Sequence, residues 1–240
     1  MSKPLVAITG ASSGIGEETA RVFSQEGHPL LIMARRIERL EAMDLPNCIC
    51  EKVDVTDLES FRKAIAKAEK QYGPIDCLVN NAGVMLLSQA SSQDIDEWKR
   101  MIDVNITGVL NGIHLVLEGM IQRQTGTVIN ISSVAGHKPG SNIAVYSGTK
   151  FAVRAISESI REEVAPHNVR FTIISPGLVE TELLEHTTVE EARAGFERVR
   201  EIMGGFIQPV DIANAVLYAY KQPQNVCVRE VLLAHTRQIR

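Results

Sequence analysis

Short apolar runs alternate with longer stretches of helical period along most of the chain. Runs at residues 5–9, 30–34, 48–53, 77–80, 127–132, 170–175 and 228–233 are flanked by turn formers and predict strands. Between them, residues 14–26, 58–72, 95–122, 146–164 and 209–220 place apolar side chains three and four apart and predict helices. The strands read as near-continuous apolar runs, which is expected of a sheet covered on both faces. Alternation of this kind predicts an α/β fold, a doubly wound parallel sheet of about seven strands with helices on both faces.

Two places depart from the rhythm. Residues 178–208 carry helical patterns and no strand. Following a strand end, they read either as a lid over a ligand or as a surface excursion. The stretches 95–122 and 146–164 are apolar on more than one face, as in a core helix or a helix packed on a second subunit.

The first strand runs into TGASSGIG, placing Gly10, Ser12, Ser13, Gly14, Ile15 and Gly16 between a strand and a helix. Glycines there allow a tight turn and close approach of a phosphate, and the helix N-terminus offers free N–H groups to it. The sheet is thereby expected to be of the Rossmann, dinucleotide-binding type, with residues 1–240 as a single domain and 178–208 its substrate loop. In such a fold the end of the second strand meets the adenosine ribose, and an acid there binds a 2′-hydroxyl. This chain has Arg35 and Arg36 and no acid from Leu30 to Arg36. Guanidinium suits a 2′-phosphate, so the expected cofactor is NADP; two solvated charges are the other reading. Asp54 and Val55 follow the third strand, where the Asp54 carboxylate is expected either to take an adenine amino group or to cap a helix.

Tyr146 and Lys150 stand one helical turn apart, so both side chains leave one face. An ammonium beside a phenol favours phenolate, and Tyr146 is expected to be acidified for proton transfer at neutral pH. Ser133 lies at the end of the fifth strand, where its hydroxyl can hold a substrate oxygen. A surface pair and a helix-capping serine are the plain alternatives.

Composition narrows the choice. A net charge of −4 without a basic stripe argues against nucleic acid. Cys48, Cys50, Cys77 and Cys227 form no C-x-x-C pair, so neither a metal site nor a disulfide framework is expected. No run of about eighteen apolar residues and no leader-like N-terminus is seen, so a cytoplasmic protein without a membrane span is expected.

With these motifs in place, the chain resembles the short-chain dehydrogenase/reductase family over nearly its whole length. TGASSGIG, NNAG at residues 80–83, Asn105 in DVNITG, the Ser133, Tyr146 and Lys150 trio, and Pro176, Gly177 and Thr181 follow in order. The resemblance implies Tyr146 as general acid/base, Lys150 as its neighbour and ribose ligand, and Ser133 as holder of the reacting oxygen. It implies that Asn105 holds a water linking Lys150 to solvent. Asn81, Ala82 and Gly83 would line the cofactor channel, with Pro176, Gly177, Val179 and Thr181 near the carboxamide. The expected activity is NADP(H)-dependent interconversion of a small secondary alcohol and its ketone or aldehyde by a homotetramer or homodimer, and a catalytically idle NADP-binding sensor or subunit is the alternative. The ARRIERLE stretch and the ending VREVLLAHTRQIR resemble the subgroup acting on 3-hydroxy acids such as serine. Met85, Val134, His137, Leu178, Leu183 and His186 are the substrate-facing candidates by position.

Overall fold

The computed structural model describes residues 3–183 and 190–239. Seven parallel strands form one sheet: β1 Leu5–Thr9, β2 Leu30–Ala34, β3 Cys48–Lys52, β4 Ile75–Asn80, β5 Gly126–Ile131, β6 Val169–Pro176 and β7 Glu230–Leu233. Their order is β3-β2-β1-β4-β5-β6-β7. The progression reverses between β1 and β4, so the crossovers leave in opposite directions and open a crevice at the carboxyl ends of those two strands.

Strand alternation explains why both faces are dry. Leu5 and Ala7 of β1, Leu31 and Met33 of β2, and Val128 of β5 join one core. Val6 and Ile8, Leu30 and Ile32, and Ile129 join the other. Successive side chains point to opposite faces, so each strand feeds two cores. The first core is closed by α3 Leu58–Tyr72, α5 Gly108–Arg123 and α6 Ala144–Val164; the second by α1 Gly14–Gln25 and α8 Pro209–Lys221. Start signals are local: Asp57 caps α3 by accepting from the N–H groups of Glu59 and Ser60. Gln208 and Asp211 form a reciprocal capping box on α8.

Expected and observed elements differ in two instructive places. The five-residue helix α2, Ile37–Glu41, is too short to show a helical period and was not expected. The long helix is not uniform: α4 Ile95–Ile102 and α5 are joined by a π-helical segment, Asp103–Thr107. Hydropathy cannot register that change of winding. By length and composition Ile95–Arg123 would suffice to cross a membrane, but Val109, Ile113, Val116 and Met120 of α5 are packed into the first core. In the segment after β6, α7 spans Glu190–Met203.

Candidate active site

The glycine loop is built by close packing. Gly10 and Gly14 have φ of 65° and 57°, in the left-handed region that glycine adopts without strain. A Cβ on Gly10 would lie 2.7 Å from Ala82 Cα, and one on Gly16 2.4 Å from both Gly10 O and Asn81 Nδ2. The segment after β4 fastens the loop. Thr9 Oγ1 accepts from Asn81 N and Ala82 N, each at 3.0 Å. Asn81 Nδ2 donates to Thr9 O at 3.0 Å and Gly10 O at 3.1 Å. Ser13, the N-cap of α1, makes no side-chain cap bond. The first N–H groups of α1 are therefore left for an outside anion.

This loop forms one end of a cavity of about 890 Å³ at the β1/β4 crevice. Gly10, Ser12, Ser13, Gly14 and Ile15 line it, as do Arg35, Arg36, Asp54, Val55, Asn81, Ala82 and Gly83. Ser133, Tyr146, Lys150, Pro176, Gly177, Val179 and Thr181 line it as well. Of the expected site residues Gly16 and Asn105 do not line it; Gly16 serves to let α1 approach Gly10 and Asn81.

Arg36 is held by both loop serines, through Nη2 to Ser12 Oγ at 3.2 Å and to Ser13 Oγ at 3.0 Å. Its Nη1 donates to Glu182 Oε2 at 3.0 Å, while Arg39 Nη1 donates to Glu182 Oε1 at 2.6 Å. These bonds, that from Arg39 foremost, hold the Glu182 carboxyl below the usual carboxylate range. Asp54 does not cap α3. Its Oδ1 accepts from Thr56 N at 3.0 Å and Thr56 Oγ1 at 2.8 Å. Burial raises its pKa, but the Thr56 bonds and the charges of Arg35 and Arg100 outweigh that and leave it lowered.

At the other end, α6 presents Tyr146 and Lys150, both buried. Lys150 Nζ donates to Ile131 O at 2.9 Å and lies 5.7 Å from the centre of the Tyr146 ring. Ser133 shares the cavity wall with Tyr146 and acts to lower the phenol's pKa; its Oγ accepts from Ala135 N at 3.1 Å. The expectation of an acidified Tyr146 is not met. Burial pushes the phenol up to about 12, against the lowering effect of Ser133. Burial also brings the Lys150 ammonium down to about 8. Desolvation of the phenolate is thus the dominant influence on Tyr146.

Asn105 sits in the π-helical segment and is buried. Its amide is already spent: Oδ1 accepts from Val84 N at 2.8 Å, and Nδ2 donates to Val84 O at 2.9 Å and Thr149 Oγ1 at 3.1 Å. Asn105 does not line the cavity; it ties the segment after β4 to α6.

Around Tyr146 the walls are apolar. Val84, Met85, Leu86, Leu87, Met101 and Ala135 cluster with it, and Leu183 and Phe196 pack onto that cluster. Of the positional candidates, Met85, Val134, Leu178 and Leu183 line the cavity. His137 does not; its Nε2 pairs with Glu230 Oε1 at 2.6 Å. His186 lies outside the described residues. Sequence reasoning missed Glu182, Phe196, Val199, Ile202, Met203, Arg237, Gln238 and Ile239, all of which line the cavity. The C-terminal segment is brought there by Gln238, whose Oε1 accepts from Leu178 N at 2.8 Å. No local pattern announces such a contact across sixty residues.

Comparison with known proteins agrees with this geometry. The family model described as short chain dehydrogenase matches residues 4–192. An uncharacterized oxidoreductase of Staphylococcus saprophyticus is 42% identical over 240 residues, covering 98% of this chain and 96% of that one. One from Listeria innocua is 41% identical, covering 98% and 97%. Among solved structures, the closed form of a serine dehydrogenase complexed with NADP+ superposes with a TM-score of 0.90 at 31% identity, covering 98% and 96%. An alcohol dehydrogenase from Thermococcus sibiricus complexed with 5-hydroxy-NADP gives 0.85 at 28% identity, covering 98% and 97%. The family match over most of the chain joins a cavity that runs from a glycine loop to a serine–tyrosine pair, and this chain belongs to the short chain dehydrogenase family.

Proposed function

We propose that the protein is an NADP(H)-dependent oxidoreductase that interconverts a ketone or aldehyde and the corresponding alcohol, with Tyr146 as the proton donor and acceptor. The observation that carries this reading is that Ser133, Tyr146 and Lys150 line one end of a single cavity whose other end reaches the glycine loop and Arg36. NADP-bound relatives of high structural similarity support the choice of cofactor. So do the two loop serines and Arg36, which gather donors where a 2′-phosphate would be recognised.

When bound, the cofactor supplies or takes the hydride. The chain supplies the rest. Ser133 donates to the carbonyl oxygen, where negative charge grows during reduction. Tyr146 then gives that oxygen its proton, completing the alcohol. Because burial holds the phenol neutral at pH 7, Tyr146 stands ready as the acid for the reduction step. Lys150, with a pKa of about 8, is mostly charged at neutral pH and stabilises the phenolate left behind until solvent reprotonates it. The apolar surroundings of Tyr146 exclude water and suit a substrate with an uncharged body. Lys138 and Arg237, exposed residues that line the cavity, are the cations available to a 3-hydroxy acid's carboxylate on that side. Residues 178–208 serve as the substrate loop: Leu183 and Phe196 from that stretch pack against the Tyr146 cluster.

The test is NADPH consumption with a panel of apolar ketones, aldehydes and 3-oxo acids. Tyr146→Phe should lower turnover by about two to four orders of magnitude, the usual share of general acid catalysis, with NADPH affinity retained. Equal rates for wild type and Tyr146→Phe across the panel would leave the protein a cofactor sensor instead.

A further inference from the structure

Glu230 opens the edge strand β7, which contributes no residue to the cavity. Its carboxylate nevertheless gathers donors from three other parts of the fold. Oε1 accepts from His137 Nε2 at 2.6 Å, Ser175 Oγ at 2.7 Å and Arg154 Nε at 3.2 Å, and Oε2 accepts from Arg154 Nη2 at 3.2 Å. Each partner adjoins a lining residue, in sequence or by one helical turn: His137 beside Lys138, Ser175 beside Pro176 and Arg154 beside Lys150. Ser175 precedes Pro176 and Gly177. Arg154 follows Lys150 by one helical turn and Tyr146 by two, on the same side of α6. His137 closes the short turn that begins at Ser133.

The contacts continue inward. Arg154 Nη1 donates to Gly136 O at 2.9 Å. Gly136 lies so close to α6 that a Cβ there would come within 3.0 Å of the backbone carbonyl of Lys150. Ser132 Oγ donates to that same carbonyl oxygen at 3.2 Å. The turn bearing Ser133 is thus seated on α6 beside Lys150, and its far end is gripped by Arg154 and His137, both of which answer to Glu230. Glu230, Arg154, His137 and Ser175 do not line the cavity, yet they hold the turn that carries Ser133 against the helix that carries Tyr146.

We propose that Glu230 is a positioning residue: it clamps the Ser133 turn to α6 and so keeps the serine in bonding reach of Tyr146. The proposal rests on the roles given above to Ser133 and Tyr146. Loss of the clamp loosens the turn without opening the sheet, because the β6–β7 ladder is carried by backbone bonds from Ile173 to Pro176. A small displacement of a group that must meet a transition state is expensive in rate.

The experiment is a double-mutant cycle joined to amide hydrogen exchange. Glu230→Ala should lower kcat about tenfold to a hundredfold, the scale of an ångström's misplacement, while NADPH affinity stays within about twofold, as expected for sites that do not share partners. Exchange should quicken across residues 132–140 and stay unchanged in β1 and β4. In a Ser133→Ala background the same substitution should cost less than about twofold, since two residues acting through one contact are not additive. Glu230→Gln, which keeps the shape and still accepts from Ser175 and Arg154, should recover most of the rate; His137→Ala, at a partly exposed position, should give an intermediate loss and guards against misfolding of the alanine variant. Equal losses with and without Ser133, or unaltered exchange across 132–140, would overturn the proposal. If wild type reduces no carbonyl at all, the functional reading fails, and the exchange measurement alone decides whether Glu230 holds the turn.

Discussion

Glu182 Oε2 stands 3.0 Å from Arg36 Nη1, so an acid from the segment after β6 grips the arginine that also binds Ser12 and Ser13. A carboxylate there presents two oxygens to Arg36 and Arg39 much as a 2′-phosphate would. The two anions compete for one set of donors. Glu182→Gln should therefore tighten NADPH binding by about threefold, in keeping with the small worth of exposed ion pairs, and leave NADH binding unchanged. Fluorescence titration with each cofactor reads the difference. Weaker NADPH binding in the variant would show instead that Glu182 bridges over a bound cofactor.

Removing the guanidinium tests the same place from the other side. Arg35→Asp with Arg36→Ile should weaken NADPH binding by about ten- to a hundredfold, the value of one or two charge-assisted hydrogen bonds. NADH should bind as well as before or better. Unchanged relative dissociation constants would sever these arginines from cofactor choice.

Stability should depend on alkaline pH through Tyr146 and Lys150. Lys150 titrates at about 8 when folded, against an ordinary 10.5. Between those values the unfolded chain holds a proton that the folded chain has lost, so stability rises with pH across that window. Tyr146 titrates at about 12 when folded, against an ordinary 10. Above pH 10 the unfolded phenol ionises first, and stability falls. Urea melts from pH 7 to 10 should show wild type gaining on Lys150→Met as pH rises, by an amount on the order of 1 kcal/mol or more per unit of displaced pKa. A flat difference across that range would mean that Lys150 is not desolvated.

Two glycines one region apart should respond in opposite ways to alanine. At Gly16 a Cβ would meet Gly10 O and Asn81 Nδ2 at 2.4 Å, so Gly16→Ala should cost about 1–3 kcal/mol, as overpacking does, and weaken cofactor binding. Gly148 lies in α6 with nothing within 4 Å of its would-be Cβ. Gly148→Ala should stabilise the fold by up to about 1 kcal/mol through helix propensity. Thermal melts and cofactor titrations of the two variants give the comparison.

Much of this site was legible before folding because its motifs are local. The loop from Gly10 to Gly14 must be glycine-rich wherever a strand turns into a helix beside an anion. The one-turn spacing of Tyr146 and Lys150 settles that they share a face. What each side chain then experiences is another matter. Spacing alone predicts that Lys150 acidifies Tyr146, whereas the packed structure buries both and raises the phenol. Asn105 reads as a functional amide, and only the π-helical winding shows it committed to Val84 and Thr149.

By itself the order of residues determined the parallel sheet, the glycine loop and the serine–tyrosine–lysine set, since apolar period, turn chemistry and one-turn spacing are properties of neighbouring residues. The tertiary structure decided the protonation of Tyr146, the gripping of Arg36 by Glu182, the arrival of Gln238 at the cavity and the clamp at Glu230. Those depend on desolvation and on contacts between segments far apart in the chain, and both come into being only when the chain packs.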